Sequence, residues 1–122
     1  MTHQRFKTIA RRAIAGLPAQ FHPLVDELLV IVKARPSRKL LRELEIAEDE
    51  DLFGVYDGPA LTERNVSDAP ELPPTITLFY EPLLEACDSE KELTHEIQTT
   101  VLHEIGHFFG LDETRLEELG LE

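Results

Sequence analysis

Between Phe6 and Leu17 the apolar residues Phe6, Ile9, Ala10, Ala13, Ile14 and Leu17 return every three or four positions, the spacing that gathers them on one side of a helix. Gly16 and Pro18 close that helix. From Pro18 to Leu24 the pattern leaves a short helix and a turn equally open. Leu28-Leu29-Val30-Ile31-Val32 is a short, branched, unbroken apolar run; it predicts an inner strand covered on both faces, stopped at Arg35-Pro36. Ser37 is placed to cap a short helix from Arg38 to Glu45, with Leu40, Leu41 and Leu44 facing inward. Glu45 to Pro74 mixes acids, glycines and prolines and reads as a long irregular connection, held over the domain by Leu52, Phe53, Val55 and Tyr56.

Thr75 to Tyr80 alternates Ile76, Leu78 and Tyr80 against Thr75, Thr77 and Phe79, which predicts a second strand, placed at a sheet edge. Pro82 suits the first turn of a short helix ending near Cys87. Ser89 followed by Glu92 has capping-box spacing, so the principal helix is expected to begin at Glu90. At about 100° per residue, Leu93, Ile97, Val101, Ile105 and Phe108 line its buried arc, widened by Leu102 and Phe109. Glu96, Thr100, His103 and His107 form a neighbouring polar stripe. Gly110 is the natural stop, and Thr114 with Glu117 repeats the capping spacing ahead of a last helix reaching about Leu119. These elements predict an α/β (α+β) fold with a small mixed sheet beside one long helix.

A chain of 122 residues fits one domain spanning residues 1–122, and its 42% hydrophobic and 30% charged residues suit a folded globular protein. Cys87 stands alone, which excludes an intrachain disulfide and suits a reducing compartment. The opening MTHQRFKTIARRAIAG lacks the apolar core of a signal peptide, and no segment is long enough to cross a bilayer, so the cytoplasm is expected. A formal net charge of -12 opposes nucleic-acid and anionic-membrane partners. Arg5, Lys7, Arg11 and Arg12 read as the solvated side of the first helix.

The candidate chemistry lies in VLHEIGHFFGLDE. His103 and His107, four apart on a helix, sit one above the other, so two imidazoles can reach one zinc ion. Glu104, one step round, is placed to take a proton from metal-bound water rather than to ligate. A third ligand must come from the short remainder of the chain. Glu113 is the first choice, with Asp112 and Glu117 as alternatives, since Gly110 lets the chain turn back toward the metal. Glu96 and Thr100 share the histidines' stripe and are candidates to orient an imidazole, against plain roles in packing. Tyr80 and, less so, Tyr56 are candidates to donate a hydrogen bond to a developing oxyanion. His3, His22 and His95 lack ligand spacing.

The segment HEIGHFFGLDE resembles the extended metzincin pattern HExxHxxGxxH/D, with Glu113 where that family has its third His or Asp. GVYDGPALTER at Gly54 to Arg64, TITLFYEPL at Thr75 to Leu83 and the short closing helix make the chain similar to the minimal, minigluzincin-like zincin metallopeptidases of bacteria. The resemblance implies a compact zincin-like fold, His103, His107 and Glu113 as ligands of one zinc ion, and Glu104 as general base. It also implies an edge strand above the active-site helix, along which an extended peptide or protein substrate lies. Two departures stand out: glutamate is longer than aspartate at the third ligand, and the methionine turn of metzincins is impossible because the only methionine is Met1.

The leading expectation is therefore a zinc-dependent peptide-bond hydrolase that uses metal-activated water. The alternative keeps the fold as a zinc-containing peptide-binding or regulatory module with little or no proteolytic activity, because so short a chain leaves little wall around a metal. A metal-dependent RNA hydrolase is opposed by the acidic third position and by the net charge. Nothing in the pattern fixes an oligomeric state.

Overall fold

The Thr2 hydroxyl accepts the Arg5 N–H at 3.0 Å and starts helix α1 (His3–Ala15), which buries Phe6, Ile9, Ala10, Ala13 and Ile14. The computed structural model describes residues 1–26, 28–47, 51–57 and 74–108, and the side chains of all of these except Leu24, His107 and Phe108. After α1, a turn of 3₁₀ helix (Ala19–Phe21) runs into α2 (His22–Val25), so the ambiguous segment is helical and adds Phe21 and Val25 to the core.

Strands β1 (Leu29–Lys33), β2 (Gly54–Asp57) and β3 (Thr75–Phe79) form a mixed sheet in the order β1-β3-β2. β1 runs parallel to β3, with Leu29 opposite Thr75, and β2 runs antiparallel to it, with Gly54 opposite Leu78. Three expectations are corrected here. The strand at Thr75–Phe79 is central and not an edge; its alternation of threonine with apolar residues reflects one open face, not one open side. β1 is an edge strand and is not covered on both faces, since Leu29 and Ile31 remain 50% and 41% exposed while Val32 points into the core. β2 falls inside the segment expected to be irregular.

Helix α3 (Arg38–Glu43) is capped by Ser37, whose hydroxyl accepts the Leu40 N–H at 3.0 Å. None of its side chains is fully buried: of the three leucines expected to face inward, Leu40 and Leu41 are half-buried, and Leu44 beyond the helix is 42% exposed, which corrects its inward placement. α4 (Tyr80–Ala86) follows β3 directly, and Arg35 ties the loop after β1 to it through Glu81 and Glu85.

α5 (Glu90–Phe108) is the spine of the molecule. Ser89 accepts the Glu92 N–H at 3.1 Å, while the Glu92 carboxylate reaches back to the Asp88 N–H at 3.0 Å, one residue beyond the reciprocal partner of a standard capping box. Leu93, Ile97, Val101, Leu102 and Ile105 are all at most 6% exposed and pack in one core with α1 and the inner face of the sheet. Gln98 fastens the two long helices by donating to the Ala13 carbonyl at 2.8 Å. The described residues thus form a compact α+β fold with a small mixed sheet and several helices, none of them long and apolar enough to cross a membrane. The expected stop at Gly110 and the last helix from Thr114 lie outside the described residues.

α3 ends with Glu45 at φ 57°, the left-handed conformation usually taken by glycine. The Glu45 N–H bonds to the Arg42 carbonyl and the Ile46 N–H to the Leu41 carbonyl at 2.9 Å, the pair of bonds of a Schellman closure. Relief of the Cβ strain, about 1–2 kcal/mol, exceeds the entropy that glycine adds to the unfolded chain, about 0.5–1 kcal/mol. Glu45→Gly is therefore expected to raise stability by up to about 1 kcal/mol in urea denaturation; a loss would show that the Glu45 side chain makes a compensating contact.

Candidate functional site

Two strand residues advance about 6.8 Å and four helical residues about 6 Å, so a strand laid along a helix meets it once per turn. β2 lies on α5 in this way. Gly54 sits at Thr100, where an added Cβ would come within 2.9 Å of the Thr100 methyl and 3.0 Å of the Thr77 carbonyl oxygen. One turn on, the Tyr56 N–H donates to Glu104 Oε1 at 3.2 Å. The Phe79 N–H bonds to the Phe53 carbonyl at 2.9 Å, which sets the antiparallel alternation: Phe53, Val55 and Asp57 pair their main chain with β3, while Gly54 and Tyr56 turn theirs to the sheet edge. Glu104 therefore satisfies an edge amide.

Beside this contact a groove of about 320 Å³ is lined by Leu52, Phe53 and Gly54 on the strand side and by Glu96, Thr99, Thr100, His103 and Glu104 on α5. Relative to Glu96 on an ideal helix, Thr100 and Glu104 lean toward β2, and Thr99 and His103 toward the other side. His103 is half-buried in the groove wall. The Thr100 hydroxyl donates to the Glu96 carbonyl oxygen at 2.8 Å, so its proton serves the helix backbone and not an imidazole. Tyr80 lies elsewhere: its ring stacks on His3, with centroids 5.4 Å apart, and tilts against Phe6 at 5.9 Å, and it is not part of the groove lining. A larger depression of about 430 Å³ lies between α3 and the outer sheet face, lined by Lys33, Arg35, Glu43, Val55, Asp57 and Thr77 among others, and shares neither His103 nor Glu104.

Cys87, after α4, has its thiol pushed up in pKa by burial, with the negative charges of Glu96, Glu92 and Asp88 adding to the effect. Leu52 and Phe53, expected from the sequence only as apolar anchors of the long connection, form much of the groove together with Gly54 and Thr99, to which the sequence assigned no site role.

The fold is shared with a solved structure of a conserved hypothetical protein from Thermo thermophilus, 23% identical, with 98% of this chain and 97% of that one covered and a TM-score of 0.56. At that identity the likeness is one of fold. No curated protein matches the chain. The model of a zincin-like metallopeptidase family matches residues 25–121, and the chain belongs to that family.

Family and motif together raise the question of whether these residues fit zinc. A zinc site takes three protein donors or more. Among the described residues no group of three or more His, Cys, Asp or Glu side chains is placed to hold a metal ion. His103 is the one motif imidazole among the described side chains, and the Glu104 carboxylate is engaged with the Tyr56 amide. The side chain of His107, together with Glu113 and its alternatives Asp112 and Glu117, lies outside the described residues. The expectations of a zinc-dependent peptide-bond hydrolase, of an enzyme in the metalloprotease class, and of one bound zinc ion are corrected on this finding: the described residues assemble no zinc site.

Two outcomes follow from the strand–helix contact. Gly54→Ala is expected to cost about 1–3 kcal/mol by overpacking against Thr100 and the Thr77 carbonyl, read as a lowered urea midpoint; an unchanged midpoint would mean that β2 lifts from α5 at little cost. Glu104→Ala, which strips the Tyr56 amide of its acceptor, is expected to cost about 1–3 kcal/mol and to speed hydrogen exchange at Tyr56, whereas Glu104→Gln keeps an acceptor oxygen and most of the protection. Equal exchange in the two variants would refute this role for Glu104.

Proposed function

We propose that this chain is a peptide-binding or regulatory module of the zincin-like fold, with little or no proteolytic activity, and that it receives an extended peptide or protein segment in the groove over α5. The observation that carries the reading is the docking of an edge strand, β2, along the helix that bears His103 and Glu104, with an open groove of about 320 Å³ beside it. The edge role expected of Thr75–Phe79 passes to β2 and to Leu52 and Phe53 ahead of it. Sheet edges bind extended chains through main-chain hydrogen bonds, and side-chain pockets beside them supply selectivity. Leu52 continues the alternation by which Gly54 and Tyr56 turn their main chain to the sheet edge, and Leu52 and Phe53 offer apolar surface in the groove lining. Glu104 serves this function as a positioning residue: it holds the edge strand against α5 and keeps the groove open to one side.

The net charge of -12 directs the reading away from polyanions and anionic membranes. A lone cysteine accords with a cytoplasmic setting.

The test uses the full chain, isotopically labelled, titrated with a pool of short peptides of randomised sequence. Amide shifts are expected at Leu52–Gly54 and Thr99–His103, with the peptides recovered uncut. Shifts confined to the depression near Lys33 and Glu43 would overturn the placement, and cleaved peptides would overturn the non-proteolytic reading.

A further inference from the structure

Among the described residues that line it, the groove carries charge of one sign: Glu96 and Glu104, with neither a lysine nor an arginine. The two acids are differently disposed. Glu104 is tied to the Tyr56 amide at the β2 end. Glu96 stands two turns earlier, half-buried, and its carboxylate makes no hydrogen bond or ion pair among the described residues; only its backbone carbonyl is engaged, by Thr100. A partly desolvated carboxylate of this kind gains from a cation brought to it by a ligand more than a fully hydrated one does.

We propose that the groove selects an extended segment carrying a lysine or arginine and that Glu96 is the residue that receives that cation. The inference rests on the peptide-binding reading above and names its ligand class. From Glu96 to His103 the helix rises about 10 Å, the span of about three residues of extended chain. A bound segment therefore sets its basic side chain over Glu96 while its neighbours pass Thr99, Thr100 and His103. Leu52 and Phe53 form the apolar wall along which the methylene stem of lysine or arginine lies, with the charged head at the carboxylate.

The experiment compares alanine-based hexapeptides, capped at both ends, that differ only in one central residue: lysine, arginine, glutamine, norleucine or glutamate. Binding to the full chain is measured by fluorescence anisotropy in low and moderate salt. The lysine and arginine peptides are expected to bind about three- to tenfold tighter than the glutamine peptide, the range of a partly shielded ion pair, with the gap narrowing as salt rises. Glu96→Gln is expected to close the gap. Glu43→Gln, which removes the same charge on the opposite face of the sheet, is expected to preserve it, separating a local contact from attraction by overall charge. The unchanged thermal midpoint of each variant confirms that it is folded. Equal binding of lysine and glutamine peptides by the wild type would overturn the basic preference while leaving the peptide-binding reading standing. A gap that survives Glu96→Gln would overturn the assignment to Glu96, and no binding of any peptide would overturn both readings.

Discussion

The fit of β2 against α5 is the constraint from which the rest of the candidate site follows. A strand and a helix keep step only when two residues of one match four of the other, and the contact here is made twice, at Gly54 on Thr100 and at Tyr56 on Glu104. The first contact requires the absence of a side chain, the second an acceptor at the right height on the helix. With both in place, the edge of the sheet is held along the polar stripe of α5 instead of over its apolar arc. The groove is the space left between the strand leading into that contact and the stripe.

The anchoring of α5 makes this possible. Leu93, Ile97, Val101 and Ile105 lie within one core with α1 and the inner face of the sheet, so the helix cannot rotate without exposing them. The position of Glu96, His103 and Glu104 relative to β2 is therefore inherited from the hydrophobic packing on the other side of the same helix.

This explains what could be read along the chain and what could not. α1 and α5 were legible because their apolar residues repeat at helical spacing, and the start of α5 because Ser89 caps it; the start of α1 at His3, capped by Thr2, lies ahead of the first apolar mark at Phe6 and was not. The strand at Thr75 was legible as a strand but not as the central one, because alternation reports how many faces are covered and says nothing of how many neighbours pair alongside. β1 failed for the same reason in reverse: a branched run looks covered on both faces, yet Leu29 and Ile31 face outward at an edge. β2 was hidden because, of its four residues, one of the two pointing inward is a glycine, so the alternation carried a single apolar mark at Tyr56. The His103-Glu104 pair was legible as a motif, but spacing alone does not reveal that the carboxylate meets a backbone amide 48 residues away.

Charge separates the two faces of the sheet in a way that composition conceals. The depression on the outer face mixes Lys33 and Arg35 with Glu43 and Asp57, and Arg35 is further engaged by Glu81 and Glu85. The groove on the α5 side has, among the described charged residues, Glu96 and Glu104 alone. A net charge of -12 would act equally on any cation approaching from a distance, but its screening length of about 8–10 Å at moderate salt makes the nearest carboxylates decide where a cation settles. Of those two, Glu104 already accepts a main-chain N–H, so the attraction is concentrated at Glu96, which lines the same groove as Leu52. The acidic balance of the chain thus becomes directional only through the packing that holds β2 on α5.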